Sequence, residues 1–307
     1  MEKVRYGKKK VVFKEQLGLH AMMLPGVLLA TVFSILPMIG LVMAFQKYSP
    51  SEGFFNSQFV DVWQFKKLFS RPDFWQVTFN TVWIALLKII FVSVLSIVVA
   101  LLLNEVRSPI LKKSVQTIIF LPYFLSWALL GEIMVDLFSI NGMFNKLLEV
   151  FGVNKGHYWI VDPDAFRAIV VSTDVWKTLG YQVVIFLAAI TGIDPTLYEA
   201  AEIDGAGYTQ RCLHVTLPGI MSMIVLQCIL NIGNIMNAGF EQILVMYNPS
   251  VYETGDILDT LSYRTGLLSG NDFSLATAIG LFKSVISCVF FAFSYWLAYK
   301  LKGYKIF

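Results

Sequence analysis

The sequence predicts an all-α, polytopic membrane protein with six transmembrane helices. Of its 307 residues, 56% are hydrophobic and only 15% are charged, whereas about a quarter are charged in an average soluble domain. Six apolar stretches reach the roughly 20 residues that a helix needs to cross a bilayer. We therefore expect one transmembrane domain over residues 1–307, with spans at 17–45, 77–103, 114–140, 166–193, 218–246 and 275–301.

The first span follows a basic stretch and so resembles a secretory signal. Its apolar run is much longer than the roughly 7 to 15 residues of a signal core, and no clear small-residue cleavage site follows it. We therefore predict that this helix is retained as an anchor. The basic residues before it are Lys3, Arg5, Lys8, Lys9, Lys10 and Lys14.

The distribution of basic residues predicts the orientation. With six spans, both termini share one side of the membrane. Thirteen of the 24 lysines and arginines lie on that side, and eight lie in the opposite loops. Because short cytoplasmic loops carry an excess of Lys and Arg, both termini are predicted to be cytoplasmic. The outer segments, expected to form ordered caps, are then 46–76, 141–165 and 247–274.

Several function classes are disfavoured by composition and spacing. A net charge of +3 with scattered basic residues does not indicate a nucleic-acid surface. The three cysteines and three histidines are dispersed, so no catalytic or metal-binding set can be assembled from them. We predict no catalytic residue, no metal and no cofactor on this chain. The cysteines are Cys212, Cys228 and Cys288.

Residues 194–218, between spans four and five, predict two short helices at the cytoplasmic surface. Asp194 is a favourable N-cap and Pro195 suits the first helical position. Gly205 and Gly207 can adopt positive φ and end this helix, and a second short helix is expected at 208–215. On this chemistry alone, the segment could equally be a capped connector.

The residues of this segment also resemble the EAA loop of permease subunits of ATP-binding-cassette (ABC) importers. The matching motifs are Glu199-Ala200-Ala201, Asp204-Gly205-Ala206 and Leu217-Pro218. The resemblance covers nearly the whole chain and is greatest to the LplB-like carbohydrate permeases related to the larger subunit of the maltose importer. One departure is Cys212, where the family commonly has a large aromatic residue. Other matching stretches are Leu24-Pro25-Gly26, Asn104-Glu105-Val106-Arg107, Leu121 to Trp127, Gly239 to Gln242 and Tyr247-Asn248-Pro249.

The resemblance implies a type I ABC importer permease fold in a bacterial cell membrane. It also implies a second homologous permease, two ATPase subunits or a homodimeric ATPase, an extracytoplasmic solute-binding protein and an oligosaccharide substrate. ATP and Mg²⁺ would bind the ATPase subunits, since Gly280 and Lys283-Ser284 lack the spacing of a phosphate-binding loop. The residues expected to couple to the ATPase are Tyr198, Glu199, Ala200, Ala201, Asp204, Gly205, Ala206, Cys212, Leu217 and Pro218.

Span five carries an unusual number of polar side chains. Helical spacing places Gln227, Asn231, Asn234 and Glu241 on one face, with Asn237 somewhat off it. Polar groups in a bilayer face protein or water, and amides suit a hydroxyl-rich ligand. We predict that this face lines the substrate path, although amides also hold membrane helices together.

Other polar and aromatic side chains in the spans favour structural roles. Asp174 and Lys177, three residues apart in span four, are predicted to form an internal ion pair. Trp127, Trp176 and Tyr181 are expected to pack or anchor more often than to stack on sugars. Pairing or snorkelling is expected of the intramembrane lysines, Lys88 and Lys283.

Two other classes stay open on the residues alone. An ion-coupled secondary transporter would use Asp174, Lys177 and Glu241 as intramembrane charges. It would leave the 194–218 motif unexplained and would call for an inverted repeat, which the sequence does not display. A membrane enzyme acting on glycans would require an acid/base pair or a metal motif, and neither is evident.

Overall fold

A computed structural model describes residues 13–153, 156–268 and 270–302. Lys3 to Lys10, Lys155 and Lys305, which contribute to the predicted orientation, lie outside these ranges. Within the described residues the chain is almost wholly helical. In chain order the α-helices are α1 (Phe13–Ala30), α2 (Gly53–Asn56), α3 (Trp63–Phe69), α4 (Phe74–Glu105), α5 (Pro109–Phe120), α6 (Trp127–Leu137), α7 (Met143–Val150), α8 (Pro163–Thr191), α9 (Pro195–Ile203), α10 (Tyr208–Arg211), α11 (Leu217–Gly219), α12 (Met221–Gly233), α13 (Phe240–Met246), α14 (Tyr252–Gly255), α15 (Leu258–Tyr263) and α16 (Phe273–Lys302).

Short segments of other geometry complete the secondary structure. Strands β1 (Gln46–Lys47) and β2 (Gln58–Phe59) pair antiparallel within residues 46–76, a small addition to the otherwise helical fold. The remaining segments are π-helical at Thr31–Ile35, Cys212–Thr216 and Arg264–Leu268, and 3-10 helical at Leu36–Phe45, Leu121–Phe124, Trp159–Val161 and Pro249–Val251.

Membrane-spanning helices fall into two groups. Three stretches are long and apolar enough to cross without a break, and the total within the described residues is six if each of three bent helix pairs counts as one span. The unbroken stretches are Gly18–Phe45, Phe74–Glu105 and Phe273–Lys300. The bent pairs are Pro109–Phe124 with Trp127–Leu137 (99°), Pro163–Thr191 with Pro195–Ile203 (71°), and Tyr208–Gly219 with Met221–Gly233 (58°).

The third span, predicted as one helix over 114–140, is broken near its middle. Pro122 lies in the 3-10 segment that follows α5, where its ring and missing N–H oppose a regular helix. Ser126 then caps α6, because its hydroxyl accepts a hydrogen bond from the N–H of Leu129 at 3.3 Å. The sharp bend between the two helices is therefore encoded by Pro122 and Ser126.

The fifth span, predicted as one helix over 218–246, is also broken. α12 ends at Gly233, and α13 begins only after Gly239, which has φ +96°. A left-handed backbone conformation cannot continue a right-handed helix, and it favours glycine. Asn234 and Glu241 consequently do not share a helix with Gln227 and Asn231, which corrects the predicted single polar face.

The core of the molecule lies between α4 and α8. One cluster of buried apolar side chains, including Phe74, Ile84 and Phe166, fills the part nearest residues 247–274. A second cluster, including Val183 and Phe186, fills the part nearest residues 194–218. By contrast, only 6% of the most apolar part of the first span is buried against the rest of the chain. The α4 and α8 pair thus forms the support against which the broken spans pack.

Candidate functional site

A polar cavity of about 210 Å³ lies where α4 and α8 meet the break in the fifth span. Amide, hydroxyl and charged side chains converge on it, although it lies among apolar helices. Because an uncompensated polar group in a bilayer is costly, such a cluster marks either an internal network or a hydrated path. The lining residues are Ala85, Lys88, Ile89, Val92, Asp174, Thr178, Gln182, Asn231, Asn234, Asn237, Ala238 and Gly239.

Lys88 connects the break in the fifth span to the core through hydrogen bonds and an ion pair. This lysine on α4 is 7% exposed. Its Nζ donates to the carbonyl oxygen of Ala238 at 2.8 Å and to Oε1 of Gln242 at 2.5 Å, and it lies 3.4 Å from Oδ1 of Asp174. The ammonium therefore has three acceptors, as a buried lysine requires. Lys88 is paired, as expected, and does not extend toward the membrane surface.

Gln242 and Gly239 complete this junction. The amide nitrogen of fully buried Gln242 donates to the carbonyl of Val170 and to Oγ1 of Thr173, both at 2.8 Å. A Cβ added to Gly239 would lie 2.7 Å from Nζ of Lys88. Glycine is thus required at this position by both its φ and its proximity to the lysine.

Two of the four predicted path residues line the cavity. Asn231 is half-buried, and its Nδ2 has no hydrogen-bond partner among the described residues. Asn234 is exposed, and its Nδ2 donates to the carbonyl of Leu230 at 3.0 Å. Gln227 and Glu241 are not among the lining residues, and Glu241 is exposed on α13. Asn231 therefore lines the cavity with a side-chain amide whose buried Nδ2 has unsatisfied hydrogen-bonding capacity.

The predicted ion pair between Asp174 and Lys177 is wrong, because each of these residues contacts a different partner. Asp174 pairs with Lys88 across the α4–α8 interface. Nζ of Lys177 instead donates to the carbonyls of Pro122 (3.3 Å), Tyr123 (2.9 Å) and Leu125 (2.5 Å), at the break in the third span. Helix breaks leave carbonyls without intrahelical partners, and a cation satisfies them. Spacing within one helix could not reveal these partners, because they lie on other elements.

The aromatic and charged candidates in the spans largely serve packing. Tyr181 stacks on Tyr123 with centroids 4.6 Å apart, and Nζ of Lys177 lies 5.6 Å from the centroid of the Trp127 ring. Trp176 is 48% exposed on α8. Lys283 pairs with Asp259, whose two carboxylate oxygens lie 2.6 and 2.7 Å from its Nζ.

Residues 194–218 form two short helices with precise local caps. The Asp194 carboxylate accepts a hydrogen bond from the N–H of Thr196 at 2.9 Å, which holds the pKa of that carboxyl below its usual value, and Pro195 opens α9. At the other end Gly205 has φ +74°. The N–H of Ala206 donates to the carbonyl of Ala201 at 2.9 Å, and that of Gly205 donates to Glu202 at 3.0 Å. This pair of bonds is a Schellman motif, which satisfies the last carbonyls of α9.

The second short helix, α10, begins directly after the turn that ends α9. The N–H of Gly207 donates to Oε1 of Gln210 at 2.9 Å, and the φ of Gly207 is −67°. Of the two glycines predicted to adopt positive φ, only Gly205 does so. The hydroxyls of Tyr198 and Thr216 lie 3.0 Å apart and join the two helices. Helical geometry then continues from α10 to Gly219, beyond the predicted end at 215.

The two short helices expose apolar side chains. Ile203 is 87% exposed and Leu213 is 53% exposed. Most of the motif is likewise exposed, including Glu199, Ala200 and Asp204, whereas Cys212 is half-buried beside Tyr208. A Cβ added to Gly205 would meet no atom within 4 Å. Exposed apolar groups on an otherwise ordered, capped segment are typical of a protein-binding surface.

A family model described as "Binding-protein-dependent transport system inner membrane component" matches residues 93–303. The chain belongs to this family. It is 39% identical to Protein LplB of Bacillus subtilis (strain 168), over 90% of this chain and 86% of that protein. It is 38% identical to the polygalacturonan/rhamnogalacturonan transport system permease protein YteP of the same strain, over 92% of this chain and 88% of that protein.

Solved structures also resemble this permease. The crystal structure of a bacterial alginate ABC transporter, in complex with a periplasmic protein that carries an alginate pentasaccharide, includes a chain that is 34% identical. The match has a TM-score of 0.86 and covers 96% of this permease and 98% of that chain. The fold is therefore that of an ABC importer permease, embedded in the membrane, and the family is one of transport components and not of enzymes. Family membership gives no support to the ion-coupled alternative.

Sequence reasoning missed several residues that build the cavity. The sequence pattern does not single out Lys88, Thr178 and Gln182 as lining residues, nor Gln242 as the partner of Lys88. A usable signal was present, because a lysine, an aspartate and a glutamine inside three apolar spans must find partners in one another. Which of them pair follows only from the breaks in the spans.

Proposed function

We propose that this permease is one half of the membrane pathway of an ATP-driven oligosaccharide importer and that residues 194–218 dock on a separate ATPase. The observation that carries the proposal is the pair of capped helices that holds Ile203 and Leu213 in solvent at one end of the α4–α8 core. Exposed apolar side chains on an ordered, capped segment favour a protein partner at this surface. ATP and Mg²⁺ would bind to that partner, which is either two subunits or a homodimer.

The coupling surface comprises the motif residues on α9, the turn after it and the helix that leads into the fifth span. Gly205 and Ala206 form a turn with open space around it, which suits insertion into a groove. The Tyr198–Thr216 contact links the two helices, so that movement of one is passed to the other. The full set is Tyr198, Glu199, Ala200, Ala201, Asp204, Gly205, Ala206, Cys212, Leu217 and Pro218.

The substrate path includes the polar cavity beside Asn231 and Asn234. Amides both donate and accept hydrogen bonds, so the side chains of Asn231 and Asn234 would supply the groups that a sugar hydroxyl needs. Gln227 and Glu241 stay predicted path residues, although the cavity in this conformation does not reach them. The opposing interpretation is that these amides hold the helices together.

Oligosaccharides, especially fragments of acidic polysaccharides, are the proposed substrate class. The support comes from the relatives, one named for polygalacturonan and rhamnogalacturonan and one for alginate. A second homologous permease and an extracytoplasmic binding protein complete the proposed assembly. Both termini are proposed to be cytoplasmic, on the balance of basic residues.

Copurification and reconstitution together test this proposal. The chain is expressed with candidate ATPase, permease and binding-protein subunits, and the purified complex is placed in proteoliposomes. ATP hydrolysis and uptake are then measured with pentasaccharides of the maltose, galacturonate and alginate series. ATP-dependent uptake of at least one series supports the proposal. Uptake by the solitary chain, or a complex with no saccharide-stimulated hydrolysis, contradicts it.

A further inference from the structure

A second, larger cavity lies beside the break in the fifth span, and Lys88 is not among the residues that line it. It has a volume of about 530 Å³, within the range of small-molecule binding sites. Its walls come from the break, from α15 with the π-helical segment after it, and from the outer half of α16. The lining residues are Asn237, Phe240, Asp259, Ser262, Tyr263, Gly266, Leu267, Phe273, Ala276, Thr277 and Lys283.

Asn237 connects this cavity to the first one. It lies in the broken part of the fifth span and lines both spaces. Its side chain is exposed, and the side-chain amide has no hydrogen-bond partner within the described part of the chain. An extended ligand that reaches from one cavity into the other would pass this residue.

Aromatic rings form one wall of the second cavity. The rings of Phe240 and Tyr263 have centroids 5.6 Å apart and meet at 60°. Phe273 adds a third ring from α16. The hydroxyl of Tyr263 makes no hydrogen bond to the residues that the structure describes. Rings of this kind offer flat apolar surfaces, and Tyr263 adds a polar group at its edge.

A charged pair lies beside these rings, because Asp259 is one helical turn before Tyr263 on α15. Nζ of Lys283 bridges both carboxylate oxygens of Asp259, and the two side chains are 21% and 22% exposed. Two of the three N–H donors of the lysine are thereby used, and the carboxylate keeps lone pairs free. The pair is neutral overall, so it favours groups that donate and accept hydrogen bonds over an isolated ion.

We propose that this second cavity is a saccharide subsite for a further sugar unit of the transported chain. The apolar face of a pyranose ring would contact Phe240 and Tyr263, and its hydroxyls would bond to Asp259, Lys283 and Asn237. A sugar ring has both kinds of surface, and the cavity has the complementary arrangement of rings and polar groups. This inference rests on the proposed function, because it assigns a second contact for the same oligosaccharide.

Cysteine protection in the assembled importer tests the subsite. Thr277, which lines the cavity and is half-buried, is replaced in Thr277→Cys, and labelling by a membrane-impermeant maleimide is followed in proteoliposomes. The parent chain has three native cysteines that can also react, so its labelling is measured separately and subtracted from that of the variant. The probe is the pentasaccharide that the wild type transports fastest, carried by its binding protein. Labelling should slow about tenfold when about nine-tenths of the sites are occupied, since only the empty site reacts.

Two controls separate sugar contact from shielding by the binding protein. Ser51→Cys, in the exposed first outer segment, should label at the same rate with loaded and unloaded binding protein. Tyr263→Leu combined with Thr277→Cys should lose the protection, while the variant still copurifies with the other subunits. Equal labelling of Thr277→Cys with loaded and unloaded binding protein overturns the subsite. Protection that persists in the Tyr263→Leu variant also overturns it, because it then comes from the docked protein. A wild type that transports no saccharide rejects the proposed function instead.

Discussion

Lys88 on α4 and Asp174 on α8 face each other across the centre of the helix pair, with Nζ 3.4 Å from Oδ1. The same ammonium also holds the carbonyl of Ala238 in the broken fifth span. One buried charge pair thus joins the two central helices to the segment that carries the amides of the cavity. Removing either partner would leave the other charge uncompensated.

Lys88→Met should therefore lower the stability of the permease by about 3 to 5 kcal/mol. The loss is expected because Asp174 keeps its charge without a partner and the Ala238 carbonyl loses its donor. Thermal unfolding in detergent measures it. The double variant Lys88→Met/Asp174→Asn should recover part of the lost stability, since no unpaired charge remains. A double variant less stable than the single variant would mean that the pair is not the source of the effect.

Gly239→Ala should also destabilise the permease. The residue has φ +96°, and the new Cβ would lie 2.7 Å from Nζ of Lys88, so both the backbone and the contact oppose it. Gly280→Ala is the matched control, because its Cβ meets no atom within 4 Å and alanine favours the helix by about 1 kcal/mol. Thermal unfolding of the two variants should shift in opposite directions. Equal stability of Gly239→Ala and the wild type would contradict the assigned role of this glycine.

Gly205→Val should weaken coupling without unfolding the spans. Positive φ disfavours a β-branched residue by about 1 to 3 kcal/mol, while the open space around the turn leaves no steric clash with the rest of the chain. Gly207→Ala, with φ −67° and its Cβ 3.9 Å from Oε1 of Gln210, is the control in the same segment. Gly205→Val should insert and pair with the second permease but retain less ATPase on copurification. Normal coupling in Gly205→Val would make residues 194–218 a simple connector.

Asn231→Leu and Asn234→Leu should each reduce uptake while the complex still assembles. Leucine keeps a similar volume but removes the hydrogen-bonding groups that face the cavity. Uptake of the transported pentasaccharide is measured in proteoliposomes together with subunit stoichiometry. Ser222→Leu, exposed on the same helix and outside the cavity, controls for the added apolar surface. Normal transport in both asparagine variants, or failure of both to assemble, would favour the structural interpretation of the amides.

Epitopes at residue 2 and after Phe307 should be cytoplasmic, and those after Ser51 and Ser250 should be outside. The expectation follows from the thirteen to eight imbalance of basic residues and from the six spans. The second outer epitope is inserted after Ser250 and not after Tyr252, because the Tyr252 ring centroid lies 4.3 Å from the guanidinium carbon of Arg264 and an insertion there would disturb that contact. Antibody access in intact cells and after permeabilisation is compared. An epitope after Ser250 that is protected in intact cells would reverse the topology.

The sequence alone predicts those parts of the structure that depend on neighbouring residues in the chain. The start of α9 at Asp194 and Pro195 and its end at Gly205 follow from capping chemistry within a few residues. The two breaks were not foreseen, because a hydropathy window averages across Pro122 and Gly239. The polar contacts at those breaks join residues far apart in the chain, such as Lys88 and Ala238, and local periodicity carries no information about them.

The exposure of Ile203 has a consequence for the cell that makes this permease. At 87% exposure, this apolar tip is left without cover by the chain itself, and the proposed ATPase partner would supply that cover. A permease synthesised in excess of its ATPase would display the tip to chaperones and proteases, which remove proteins that show such surfaces. Production of the subunits in matched amounts, and not the abundance of this chain alone, would then set the number of working importers.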